Sequence, residues 1–115
     1  MRDGRLDCKG IDGFVAERVC YYAALYPELR EIARQYGSAL ALHGSLVKDL
    51  DVVAVPWTAE ASEPDALVRA IVERCGALIP GDNPGKKPHG RETWTILFGD
   101  GGGYIDLSIM PRISS

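Results

Sequence analysis

Two acids, Asp49 and Asp51, stand one residue apart in "KDLDVVAVPW", at the start of an apolar run that otherwise reads as a buried strand. A third, Asp106, sits inside a second strand-like run, "YIDLSIM". An acid within an apolar strand needs a partner or a cation. Strand side chains alternate faces, so Asp49, Asp51, Val53 and Val55 share one face, and Leu50, Val52 and Ala54 share the other. Asp106 falls with Tyr104, Ser108 and Met110, opposite the apolar row Ile105, Leu107 and Ile109. If the two strands lie in neighbouring hairpins of one sheet, three carboxylates converge on its exposed face. Such a group repels itself unless a cation neutralises it, and Mg²⁺ takes oxygen ligands of this kind, with water completing its octahedron. The chemistry that most often uses such a site is phosphoryl or nucleotidyl transfer. Gly44 and Ser45, just upstream, suit a phosphate: glycine lets backbone come close, and the hydroxyl and adjacent N–H groups can donate to its oxygens.

The elements that position these residues follow from periodicity. Residues 13 to 36 carry Phe14, Val15, Val19, Tyr22, Ala23, Tyr26, Leu29, Ile32, Ala33 and Tyr36 at helical spacing, with Gly37 as the stop. Pro27 either kinks this helix or opens a second one. "SALALHG" and "LDVVAVPW" read as a hairpin, the second strand closed by Pro56. "SEPDALVRAIVERCG" reads as a helix with Ser62 as N-cap, Pro64 in the first turn, Asp65 at the capping-box position and Gly76 as the stop. Its buried stripe is Leu67, Val68, Ile71, Val72 and Cys75. "ETWTILF" and "GYIDLSIM", joined by "GDGGG", read as a second hairpin. The order helix, two strands, helix, two strands predicts an α+β fold: a mixed or antiparallel sheet of about four strands with the helices on one face. The helices are expected over the Leu50 face, which leaves the acids on the open one.

At 115 residues the chain has room for one core, so residues 13 to 112 are read as a single domain between an N-terminal segment, 1 to 12, and a tail, 113 to 115. The net charge of −3 argues against general nucleic-acid binding, which needs a surplus of Lys and Arg on some face. No stretch approaches the ~20 apolar residues of a membrane span, and the polar start "MRDGRLDCKG" lacks a signal peptide's apolar core. A cytoplasmic protein is the simplest expectation. Cys8, Cys20 and Cys75 are far apart and outside any C-x-x-C pair, so reduced thiols are expected.

"HGSLVKDLDVVAV" resembles the signature of the DNA polymerase β-like nucleotidyltransferase superfamily: an apolar strand, Gly-Ser, then Asp-x-Asp opening the next strand. "YIDLSIM" looks like the later strand that supplies the third acid, and the element order matches the minimal core of that fold over most of residues 14 to 110. The resemblance implies that Gly44 and Ser45 hold the phosphates of a nucleoside triphosphate. It also implies that Asp49 and Asp51 bind Mg²⁺, and that Asp106 completes the site and helps activate an acceptor hydroxyl. Only Leu46, Val47 and Lys48 separate Ser45 from Asp49, where many members have a longer loop. The chain is similar to stand-alone minimal nucleotidyltransferases, among them antitoxins that adenylylate a partner, and to short proteins of bacterial and phage genomes. The alternative is a module of the same fold without turnover, antitoxin-like or a phage-encoded accessory protein, whose exposed sheet face or edge binds a protein partner or a second copy. A phosphohydrolase using the same acids is a third reading.

Other residues carry weaker signals. "GKKPHGRE" sets Lys86, Lys87, His89 and Arg91 together, either as a cationic clamp for a triphosphate or acidic partner or as a solubilising loop. Of the lysines, Lys48 and Lys87 are the candidate phosphate contacts. His43 reads as a hydrogen-bonded structural histidine rather than a metal ligand or base, for want of a second His at ligand spacing. An ion pair of Asp106 with Arg91 or Lys48 is the alternative to metal binding. Arg112 is either a phosphate contact or solvated. Trp57 and Trp94 are expected in core or rim packing rather than stacked on a base.

Overall fold

A computed structural model of the chain describes residues 13–76, 84–86, 90–98 and 103–112. The elements run α1 (Gly13–Gln35), β1 (Ser38–His43), β2 (Asp49–Pro56), α2 (Pro64–Cys75), β3 (Gly85–Lys86), β4 (Glu92–Leu97) and β5 (Tyr104–Ile109). The described strands form one mixed sheet in the order β1-β2-β5-β4-β3. β1 with β2 and β4 with β5 are antiparallel hairpins, and β2 pairs with β5 in parallel. β3 adds only two residues to the four expected strands.

Both helices pack on one face. Tyr22, Leu25, Leu29 and Ala33 of α1 and Leu67, Val68 and Ile71 of α2 are buried in one cluster with the alternate strand residues Leu40, Leu50, Val52, Ala54, Trp94, Ile96, Ile105, Leu107 and Ile109. The period of 3.6 in the helices and of 2 in the strands thus meets in one apolar layer. The side chains of residues 14 and 15 lie outside the described ones.

Pro27 lies inside α1, which continues through it as one helix of 23 residues. Proline removes one backbone hydrogen bond and crowds the carbonyl of Ala23, and the buried residues on both sides of it, Leu25 and Leu29, hold the helix against the sheet. Gly37, at φ 85°, and Gly76, at φ 61°, end the two helices in the left-handed conformation that glycine adopts without a Cβ clash. The start of α2 differs from expectation: the N-cap is Glu63, not Ser62. Pro64 forces the residue before it into extended backbone, and Glu63 is at φ −63°, ψ 150°. The Ser62 hydroxyl donates instead to the Glu63 carbonyl, and Asp65 sits in the first turn rather than at the capping-box position.

β1 is an edge strand, and α1 shields part of it. The Trp57 N–H donates to the Gly37 carbonyl, which marks Gly37 and Trp57 as a hydrogen-bonded pair and, by alternation, turns the Leu40 carbonyl to the outer edge. The Tyr26 hydroxyl donates to that carbonyl at 2.6 Å. At the other end of the core, Gly103, at φ 124°, leaves room for Tyr22, since a Cβ there would collide with the Tyr22 hydroxyl. Gly103→Ala is expected to lower stability by about 2–3 kcal/mol through overpacking and backbone strain, and so to lower the thermal midpoint by roughly 10 °C. Thermal unfolding checks this, and an unchanged midpoint would contradict the packing described.

Candidate functional site

The parallel pairing of β2 with β5 sets Asp51 opposite Asp106 and Asp49 opposite Tyr104. Paired residues in neighbouring strands point to the same side, so all three acids stand on the face that the helices leave open. One carboxylate oxygen from each lies within 4.8 Å of the other two, and all three residues are partly buried. The convergence expected from alternation is therefore present. Among the described residues Asp106 forms no ion pair with Arg91 or Lys48.

The loop between β1 and β2 is shaped around Asp51. Gly44 is at φ 81°, and a Cβ there would sit 3.3 Å from Asp51 Cβ and 3.4 Å from Asp51 Oδ2. Glycine thus serves both the backbone turn and the space in front of the carboxylate. Ser45 is exposed, and its Oγ accepts the Val47 N–H at 3.2 Å, which leaves the hydroxyl proton available to donate. Leu46 takes φ 66°, a conformation costly for a side chain of its size, and packs that side chain against the core. Helix α1 holds the next two carbonyls: Arg18 Nη1 donates to Val47 O at 2.8 Å, and the Tyr22 hydroxyl donates to Lys48 O at 3.1 Å. Burial pushes the Tyr22 phenol above its ordinary pKa, which keeps it a neutral donor. Lys48 itself is exposed beside the site.

The electrostatics are those of crowded acids. Asp51 is raised above the ordinary carboxylate range, first by burial and further by the charges of Asp106 and Asp49, against the opposing charges of His43 and Arg91. His43, opposite Asp51 in the β1–β2 register, places Nε2 2.9 Å from Asp51 Oδ1. The phenol of Tyr104 is also raised, chiefly by the charge of Asp49. An all-oxygen donor set of three carboxylates, with open space kept in front of one by a glycine, fits a hard divalent ion.

Sequence reasoning places the three acids and Gly44 and expects His43 to be hydrogen-bonded, but does not name its partner or the supports from α1. That His43 bonds Asp51 follows from the hairpin register, which the short loop alone does not fix. The roles of Arg18 and Tyr22 have no local signal, because they come from the docking of a helix onto a loop 26 to 29 residues away. Trp94 is buried as expected, but Trp57 is 60% exposed. Arg112 pairs with Glu63 at 2.6 Å beyond the opposite end of β5, away from the acids. Cys75 is a free thiol, and Cys20 is partly buried on α1. Cys8, Lys87, His89 and the side chain of Lys86 lie outside the described residues.

The raised Asp51 has a consequence for stability. Its folded form holds a proton more tightly than the unfolded chain does, so the stability it contributes is complete below the ordinary value of 3.8 and is lost as pH rises through the folded value. Asp51→Asn keeps an oxygen for His43 but cannot ionise. In the presence of chelator at pH 7 its thermal midpoint is expected about 2–4 °C above that of the natural chain, with the difference closing at about pH 3. A lower midpoint for the variant at pH 7 would contradict the crowding.

No protein-family model matches the chain, and no curated protein matches it.

Proposed function

We propose that the protein is a metal-dependent nucleotidyltransferase that binds a nucleoside triphosphate with Mg²⁺ and transfers the nucleotidyl group to an acceptor hydroxyl. The observation that carries this reading is the meeting of Asp49, Asp51 and Asp106 within 4.8 Å on the open face, beside the glycine turn at Gly44. In this reading Asp49, Asp51 and Asp106 hold the ion, which when bound supplies charge neutralisation on the phosphate and a more acidic acceptor hydroxyl. The Gly44 turn admits a phosphate close to backbone, and Ser45 and Lys48 donate to its oxygens. Asp106, on the strand across from the loop, orients the acceptor hydroxyl and helps draw off its proton as its oxygen bonds to the α-phosphorus and pyrophosphate departs.

The resemblance of Gly-Ser, Asp-x-Asp and a strand-borne third acid to the polymerase β-like signature supports the same reading. A second reading, a non-catalytic module that binds a protein partner, is favoured by the exposed apolar end of the same sheet face, where Val55 is 43% and Trp57 60% exposed.

Calorimetric titration with a non-hydrolysable ATP analogue separates the two. Binding is expected to require Mg²⁺ and to vanish in the Asp49→Asn/Asp51→Asn double variant. Asp106→Asn is expected to keep the fold and to lower transfer by roughly 100-fold or more, the scale of lost metal-centred charge stabilisation. Absence of analogue binding in the natural chain, with Mg²⁺ present, would contradict the proposal and leave the binding-module reading.

A further inference from the structure

Arg91 is a cation on the open face that the chemistry above does not use. It follows Gly90, whose missing Cβ would approach Pro111 Cγ to 3.1 Å, so the β4–β5 register continues past the strand and sets Arg91 opposite Met110. Trp94 and Ile96 point into the core, and alternation puts Arg91 with Thr93 and Thr95 on the other side. The residue is partly buried, and its Nε is sealed from solvent without a hydrogen-bond partner among the described residues. Among the described residues its guanidinium forms no ion pair. Thr95, four residues further along the same face, is in register with Asp106. Between Arg91 and the acids the face carries Ser108, itself buried, in register with Thr93.

An arginine that merely covers apolar surface buries its stem and leaves its head in water. Here a donor nitrogen of the head is sheltered and unpaired, which costs more than a hydrogen bond never formed. None of the three acids on this face satisfies it. A planar fork with unused donors, on the same face as a polar floor and carboxylates suited to a cation, matches the oxygens of a phosphate.

We infer that Arg91 binds a phosphate group of the substrate on the open sheet face. This deepens the nucleotide reading of the acids and rests on it for which phosphate is bound. Two sources share the chemistry: the phosphate tail of the nucleotide and a phosphate carried by the acceptor.

The natural chain, Arg91→Gln and Arg91→Lys are titrated, each shown to be folded by thermal unfolding. The first titrant is inorganic phosphate alone, followed in the natural chain by the NMR signal of the Arg91 Nε–H. The second is a non-hydrolysable ATP analogue with Mg²⁺, and the third is inorganic phosphate added to the analogue-saturated protein. Phosphate is expected to shift the Arg91 signal and to bind the Gln variant about tenfold more weakly. The Lys variant, with the charge but without the fork, is expected between them. If the nucleotide is the source, Arg91→Gln weakens analogue binding by a similar factor and the saturated protein no longer takes phosphate. If the acceptor is the source, analogue binding is unchanged and the saturated natural chain still takes phosphate through Arg91.

Equal phosphate affinity in all three folded proteins, with an unmoved Arg91 signal, would overturn the inference. Arg91-dependent phosphate binding in a chain that never binds the analogue would support Arg91 as an anion contact and would instead overturn the nucleotide reading.

Discussion

The parallel pairing of β2 with β5 is the constraint on which the site depends. It brings Asp51 and Asp106, 55 positions apart in the chain, into direct register, and a slip of one residue would turn Asp106 into the core. What holds the register is apolar. Ile105, Leu107 and Ile109 lie buried beside Leu50, Val52 and Ala54, so the slip that would move the acid would also expose three large side chains. The Met110 N–H, bonded to the Ala54 carbonyl at 2.9 Å, extends the pairing past the end of β5. The hydrophobic layer on one face therefore fixes the polar geometry of the other.

Helix α1 is the second support. Its inward side chains bury against the sheet, and its Arg18, Tyr22 and Tyr26 spend their polar ends on three carbonyls, those of Val47, Lys48 and Leu40. Two of these lie just before Asp49, so the helix that closes the core also steadies the loop that carries the site. The strained Leu46 is tolerated because its side chain packs on the core and the two carbonyls after it are held. Crowded acids and a left-handed leucine are local violations of what stability alone would choose, and such violations concentrate where a ligand is expected. The same holds for the sheltered, unpaired donor of Arg91.

Much of this was legible in the sequence because it depends on periodicity. Alternation in "DLDVVAV" and "YIDLSIM" assigns each acid to the open face without knowledge of the fold, and helix, hairpin, helix, hairpin follows from apolar spacing and glycine stops. The details that depend on geometry were not legible. Proline in the first turn of α2 moved the cap from Ser62 to Glu63, since the residue before proline is driven to extended backbone. The course of α1 through Pro27 was settled by burial on both sides of it rather than by propensity. The His43–Asp51 bond and the grip of Arg18 and Tyr22 on the loop arise only when distant segments dock. Trp57 lies at the far end of the open face, where nothing in the local sequence distinguishes an exposed tryptophan from a buried one.

Three carboxylates from two strands gather into one oxygen-lined group on the open face. The most direct measurement is anomalous diffraction from crystals of the protein soaked in Mn²⁺, a hard cation that takes the ligands of Mg²⁺. Manganese peaks are expected at bonding distance from oxygens of Asp49, Asp51 and Asp106 together. Peaks that leave out Asp106, or none at the acids while the ion binds elsewhere, would contradict a shared cation site.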